Sequence, residues 1–221
     1  MKLKKNLFAV AVILATLAAA LATFLLLRPE DSASAAASPP APGDARAVRA
    51  DSHRLTGPRQ SELTVTEFLD FECEACGAVQ PTVERLRQEY GDRVTFVVRY
   101  FPMPGHRNSR TAAVAVEAAA RQDRFEDMYR TMFATQKEWG ESKDSRAHVF
   151  RSYAERLGLD MLRYDAAVAD PATEDRVRAD QRDGMGLAVQ GTPTFFLDAE
   201  RVRTPPTYEA FKALIDERLA R

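Results

Sequence analysis

Cysteine is nearly absent from this chain. Its 221 residues include two, Cys73 and Cys76, too few and too close together to be the disulfide framework of a small secreted domain. Stability must therefore come from an apolar core, which a 45% hydrophobic content can supply. Histidine is as scarce. His53, His106 and His148 lie scattered, without the paired spacing of a zinc site, and no metal is expected. Charge of one sign is also lacking, with 31 basic residues against 32 acidic ones. No net field draws the chain to nucleic acid, and no such partner is expected. There is no internal repeat, and nothing suggests a bound cofactor.

What is present begins with an address. Lys2, Lys4 and Lys5 precede an uncharged, mostly apolar run over 6–27, closed by Arg28 and Pro29. The run reaches the roughly 20 residues that cross a bilayer as a helix, beyond the usual reach of a cleavable signal. The flanking charges favour an inside N-terminus with the remainder exported. The expectation is a signal anchor, a transmembrane helix over 1–28. Cleavage is the alternative, since Ala33-Ser34-Ala35 and Ala35-Ala36-Ala37 resemble processing sites. No cysteine follows the run, which excludes a lipoprotein. Either way the folded part lies outside the cytoplasm, where disulfide chemistry proceeds. The Ala/Ser/Pro-rich stretch over 29–52 reads as a flexible linker.

The folded domain is expected over 53–221. Leu63–Leu69 alternates apolar and polar residues, as a strand does. A helical pattern follows in Cys76, Val79, Val83, Leu86 and Tyr90, ending at Gly91, and Pro81 within it predicts a kink. Val94–Tyr100 is apolar enough to be buried on both faces. Strand, helix and strand at this spacing make a βαβ unit with a parallel pair. From about 109 to 182 the pattern is almost wholly helical. One stripe comprises Phe125, Met128, Tyr129, Met132 and Phe133, another Val149, Phe150, Tyr153 and Leu157. Asp170-Pro171 reads as an N-cap followed by proline in the first turn. Thr194-Phe195-Phe196-Leu197 returns to strand. Residues 198–201 supply a turn, Arg201-Val202 a short edge strand, and a last helix runs over about 207–219. The fold class is α/β with an inserted helical subdomain. Met103, Met128 and Met132 read as core, and His106, in a Pro/Gly loop, as a polar surface residue.

Cys73 falls where a strand's exit loop meets a helix N-terminus, whose free N–H groups and dipole stabilise a thiolate. Cys76 is one turn further in and less exposed. A zinc site would need two more ligands. A Cu(I) carrier would want neighbouring methionines. A static disulfide across so short a loop removes little chain entropy. Reversible thiol–disulfide exchange is the chemistry left best supported.

The surrounding residues carry a resemblance. Phe68-Leu69-Asp70-Phe71-Glu72-Cys73-Glu74-Ala75-Cys76-Gly77, with Pro81 beyond it, resembles the active-site segment of DsbA-like thiol:disulfide oxidoreductases. Phe101-Pro102-Met103-Pro104-Gly105-His106 is similar to that family's segment after the second strand, and Val189-Gln190-Gly191-Thr192-Pro193-Thr194-Phe195-Phe196 to its cis-proline segment. The similarity spans about 63–219. It implies a thioredoxin-like fold, Cys73 as the attacking sulfur and Cys76 as the resolving one. It implies a cis bond before Pro193, facing the cysteines, and Thr192 presenting its backbone to an extended substrate peptide. It also places a buried acid at Glu67, where burial would raise the pKa and suit proton transfer with Cys76. On the strand pattern alone, Glu67 could equally point to solvent.

One departure stands out. The dipeptide between the cysteines is Glu-Ala, where strongly oxidising relatives carry Pro-His. Glu74, with Glu72, would repel the thiolate, so a less depressed Cys73 pKa and a less oxidising disulfide are expected. The resemblance implies an enzyme that introduces or exchanges disulfides in reduced or unfolded exported proteins. It would work as a monomer at the membrane and be recharged by a quinone-linked membrane thiol oxidase. The helical insertion is expected to offer unfolded chains an apolar surface. Two other readings stay open: a reductase or isomerase of the same fold, and a non-catalytic holdase.

Overall fold

The computed structural model describes residues 45–58, 60–203 and 207–221. The expected transmembrane helix and most of the linker lie outside these residues. No described helix is long and apolar enough to cross a membrane.

The expected βαβ unit is present. Strand β2 (Leu63–Leu69), helix α1 (Glu74–Tyr90) and strand β3 (Val94–Tyr100) follow in order. β2 and β3 are parallel, from Leu63 opposite Val94 to Leu69 opposite Tyr100. Pro81 lies inside the unbroken α1, where its missing N–H deprives the Gly77 carbonyl of its helical donor. Strand β4 (Thr194–Leu197) joins the other edge of β2 antiparallel, pairing Glu67 with Phe195. The turn leads into β5 (Glu200–Arg201), one residue earlier than its predicted place. Asp198 shapes that turn with a left-handed backbone (φ 52°), and its carboxylate accepts the Thr64 N–H at 2.9 Å.

A further strand was not expected. β1 (His53–Thr56) pairs antiparallel with β3, completing the sheet order β1-β3-β2-β4-β5. Its sequence shows no alternation, because an edge strand with only Leu55 as an apolar anchor needs none.

Between β3 and β4 come α2 (Ser109–Ala120), α3 (Phe125–Ala134), α4 (Gln136–Trp139), α5 (Ala147–Arg156), α6 (Met161–Ala169) and α7 (Pro171–Gly186). The insertion thus runs beyond 182. Glycines at 184 and 186 signal a helix end, yet at Gly184 the glycine serves packing. A Cβ there would stand 2.6 Å from the Phe101 ring and 3.1 Å from Phe68. Asp170 caps α7 as predicted, accepting the Ala172 N–H. The chain closes with α8 (Tyr208–Leu219), capped by Thr207 and burying Phe211 and Ile215.

Because strand side chains alternate, the sheet has two distinct faces. Val65, Leu69, Phe96, Val98, Tyr100, Phe195 and Leu197 share one core cluster with Val83 and Leu86 of α1 and Phe211 and Ile215 of α8. Phe68 and Phe196 turn the other way, onto Ala47, Phe101 and Val189. β3 is buried along its whole length, and the burial includes a charge. Arg99 is fully buried, with Nε donating to Asp180 at 2.6 Å and Nη2 to Asp183 at 2.5 Å. Such pairing offsets the cost of desolvation rather than adding much net stability. Met128 and Met132 are core, as expected, and Met103 packs against the second cluster. Among the described residues, the exposed large apolar side chains are Leu162, Val168 and Met185. That is little material for the apolar docking surface expected of the insertion.

Candidate active site

The chain leaves β2 through Asp70, Phe71 and Glu72, all buried. It turns tightly, with the Cys73 N–H donating to the Asp70 carbonyl at 3.1 Å. Asp70 also folds its carboxylate back to accept the Glu72 N–H at 2.9 Å. Cys73 is the N-cap of α1, in extended conformation and with no side-chain cap bond, so its sulfur is left over the first turn. Cys76, one turn on, is fully buried. Both are free thiols.

Burial and hydrogen bonding push the two sulfurs apart. The Cys73 pKa is lowered to about 5, first by the hydrogen bond from the Cys76 thiol, then by Thr192 and the N–H groups of Cys76 and Ala75, against the cost of partial burial. The Cys76 thiol is raised well above its usual range. Burial is the main cause, with the bond to Cys73 and the charge of Glu67 adding to it. The segment before β4 closes the site. The Thr192–Pro193 peptide bond is cis, and the Cys73 thiol donates to the Thr192 carbonyl at 3.3 Å. The Thr192 hydroxyl is buried and without a partner while Cys73 is a thiol. It is placed to donate once the sulfur is ionised.

Glu67 is 4% exposed. It shares its strand face with Val65 and Leu69, so it points toward α1 and the core and not to solvent. Burial pushes its carboxyl up to about 8, with the charges of Cys73 and Glu84 adding to the rise. The Tyr129 hydroxyl is buried without a hydrogen-bond partner. Its pKa is raised well above the usual range by burial first, then by the charges of Glu67 and Glu84.

Three residues at the site are not read as site residues from the sequence: Gln136, Asn108 and His106, the last taken for a polar surface residue. Gln136 of α4 donates from Nε2 to the carbonyls of Phe71 and Cys73, both at 2.8 Å. Its amide fills the space beside α1, so that a Cβ on Gly77 would lie 2.0 Å from Oε1. Asn108 donates its N–H to the Glu72 carboxylate at 2.6 Å. Glu72 is therefore turned inward to the start of α2 rather than displayed beside the thiolate, which leaves Glu74 as the acid of the exposed first turn. His106 is not merely a surface residue. Its Nδ1 lies 2.6 Å from Oδ2 of the fully buried Asp70. Nothing in the sequence points to Gln136 or Asn108. His106 had a signal in its place within the Pro/Gly loop, without a visible partner. Among the described residues no cluster of three or more His, Cys, Asp or Glu could hold a metal.

A dithiol at a helix N-terminus, faced by a cis-proline loop on a five-stranded mixed sheet, defines a thioredoxin-fold redox protein. A family model described as thioredoxin matches residues 50–217, and the chain belongs to that family. Its fold is that of DsbA-like proteins. BdbD from Bacillus subtilis superposes with a TM-score of 0.65 at 20% identity, covering 75% of this chain and 92% of that one. Wolbachia pipientis alpha-DsbA1 gives 0.70 at 15%, covering 78% and 93%. The enzyme class is thiol:disulfide oxidoreductase. Among curated proteins, the chain is 36% identical over 169 residues to the Na(+)/H(+) antiporter NhaA 3 of Salinispora tropica, covering 76% of this chain and 25% of that protein. The chain spans about a quarter of the length of the first curated relatives it matches, and antiport is named for those whole proteins.

Proposed function

We propose that Cys73 and Cys76 form the redox pair of an extracytoplasmic enzyme that introduces or exchanges disulfides in exported proteins. The observation that carries this is the placement of the two sulfurs: Cys73 caps α1, half-buried against the cis-proline loop, with its pKa lowered to about 5, and Cys76 lies buried one turn on with its thiol held protonated. In the disulfide form, a substrate thiolate attacks the Cys73 sulfur. The Cys73–Cys76 bond breaks, and the electron pair leaves with Cys76. That buried thiolate takes a proton, for which Glu67 is the donor, since burial, the main cause of its raised pKa, keeps its carboxyl protonated. A second substrate thiolate then attacks the substrate sulfur of the mixed disulfide and releases Cys73 as a thiolate. The substrate is oxidised by two electrons and the enzyme reduced by two. Thr192 offers backbone groups to an extended substrate segment, and Pro193 shapes the loop that presents them.

Residues 1–28 would hold this domain to the membrane, near a quinone-linked thiol oxidase that restores the disulfide. The exposed Glu74 favours a second reading, a reductase or isomerase, because an acid beside the thiolate makes the disulfide less oxidising. The reduction potential, measured by equilibration with glutathione, separates an oxidase or isomerase from a reductase. We expect a value between about −120 and −180 mV. A value near −270 mV, that of thioredoxin, would replace the oxidase reading with a reductase supplied with electrons from elsewhere.

A further inference from the structure

Glu-Ala between the cysteines leaves the thiolate without a neighbouring cation on its own helix, yet the loop after β3 sets His106 on Asp70, whose carbonyl holds the Cys73 N–H. We propose that His106 is a positioning residue of the redox site, a cation held by Asp70 against the Cys73 thiolate, which sets how readily the disulfide oxidises its substrates. The proposal rests on Cys73 being the ionised, attacking sulfur.

Three contacts link His106 to the turn of Cys73. Asp70 holds the backbone of Cys73 through its carbonyl at 3.1 Å. Its carboxylate, fully buried, accepts the N–H groups of Glu72 and Met103 at 2.9 Å each. The same Oδ2 that takes Met103 faces His106 Nδ1 at 2.6 Å. A carboxylate with every partner a donor calls for a protonated Nδ1. The imidazole is about a quarter exposed, which leaves its other edge free of full burial. His106 is thus fixed from behind by a group that belongs to the turn carrying the nucleophile.

The charges that face it agree. Its pKa is raised despite the opposing effect of partial burial, by the hydrogen bond and charge of Asp70 and then by the charges of Cys73 and Glu72. Interaction between two sites is reciprocal. If the Cys73 thiolate favours the imidazolium, the imidazolium favours the thiolate by the same factor. His106 also neutralises Asp70, a buried carboxylate in the turn that carries Cys73. Removing the histidine therefore moves the thiol in one direction by both routes, toward a higher pKa. A less stable thiolate makes the reduced form less stable and the disulfide less oxidising.

The test starts with the unaltered protein. The His106 imidazole is titrated by NMR in the dithiol and in the disulfide form. We expect its midpoint to fall on oxidation by about one pH unit, the lower end of what an opposite charge at close range produces. The His106→Gln protein keeps a donor for Asp70 and loses the charge. Its Cys73 pKa should rise by the same amount, and its disulfide should become about tenfold less oxidising against glutathione, or ~30 mV. His106→Lys should recover part of both shifts. A His106 midpoint unchanged between the two forms, with a thiolate present near pH 5, would overturn the inference and leave the redox pair intact. Absence of any thiolate at that pH in the unaltered protein would instead remove the reading on which it rests.

Discussion

Cys73→Ser protein should show no catalysed exchange, a loss of more than about 10³-fold, because no other group at the site can act as the nucleophile. Cys76→Ser protein should behave differently. It keeps the half-buried thiolate of Cys73, attacks a disulfide substrate, and stops as a mixed disulfide that mass spectrometry can weigh. The contrast follows from burial, since Cys76 is wholly covered and reaches only the sulfur beside it. Were the two serine proteins to accumulate mixed disulfide equally, the assignment of attacking and resolving sulfur would be wrong. A holdase would keep its capacity to prevent aggregation in both.

Glu67→Gln should raise stability and lower activity together. The carboxyl is at about 8 in the folded dithiol protein against 4.5 when unperturbed. The folded state therefore binds more protons than the unfolded state between those values. This favourable contribution is complete below about pH 4.5, declines as pH rises, and is gone once the pH passes about 8. At pH 7 the decline amounts to roughly 3 kcal/mol at 1.36 kcal/mol per unit. Glutamine has no proton to lose, so the reduced variant should be more stable by about that amount at pH 7. At pH 4 it should be indistinguishable from the unaltered protein. Urea unfolding at both values measures this. The same substitution removes the proton donor for Cys76 and should slow exchange on the order of 10²-fold. Equal pH slopes in the two proteins would mean that Glu67 is ionised and solvated.

Position along the chain decides what could be read beforehand. β2, α1 and β3 announce themselves through local periodicity, and the Asp170–Pro171 cap through neighbouring residues. The cis bond at Pro193 came from resemblance, since nothing local distinguishes it. The orientation of Glu67 depends on β2 being a central strand, flanked by β3 and β4, and the alternating pattern of one strand does not reveal its neighbours. The supports of the nucleophile are harder still. His106 meets Asp70 across 36 residues and Gln136 meets Cys73 across 63. Each is a single polar residue without a periodic pattern around it, His106 in a loop and Gln136 on a one-turn helix. Gly77 was quoted as part of a motif, but its reason, the Gln136 amide pressed against it, lies in another helix. Glu72 was read as a repelling charge because its capture by Asn108 is likewise a long-range contact.

The central claim is that this fold activates one sulfur of the pair. The most direct measurement is the thiolate absorbance near 240 nm as a function of pH, in the reduced protein and in Cys76→Ser. The unaltered protein should show a transition near pH 5, assigned to Cys73. The transition should shift upward in Cys76→Ser, where the hydrogen bond that contributes most to the lowering is altered. A single transition near 8.5, the ordinary value for a free cysteine, would contradict it.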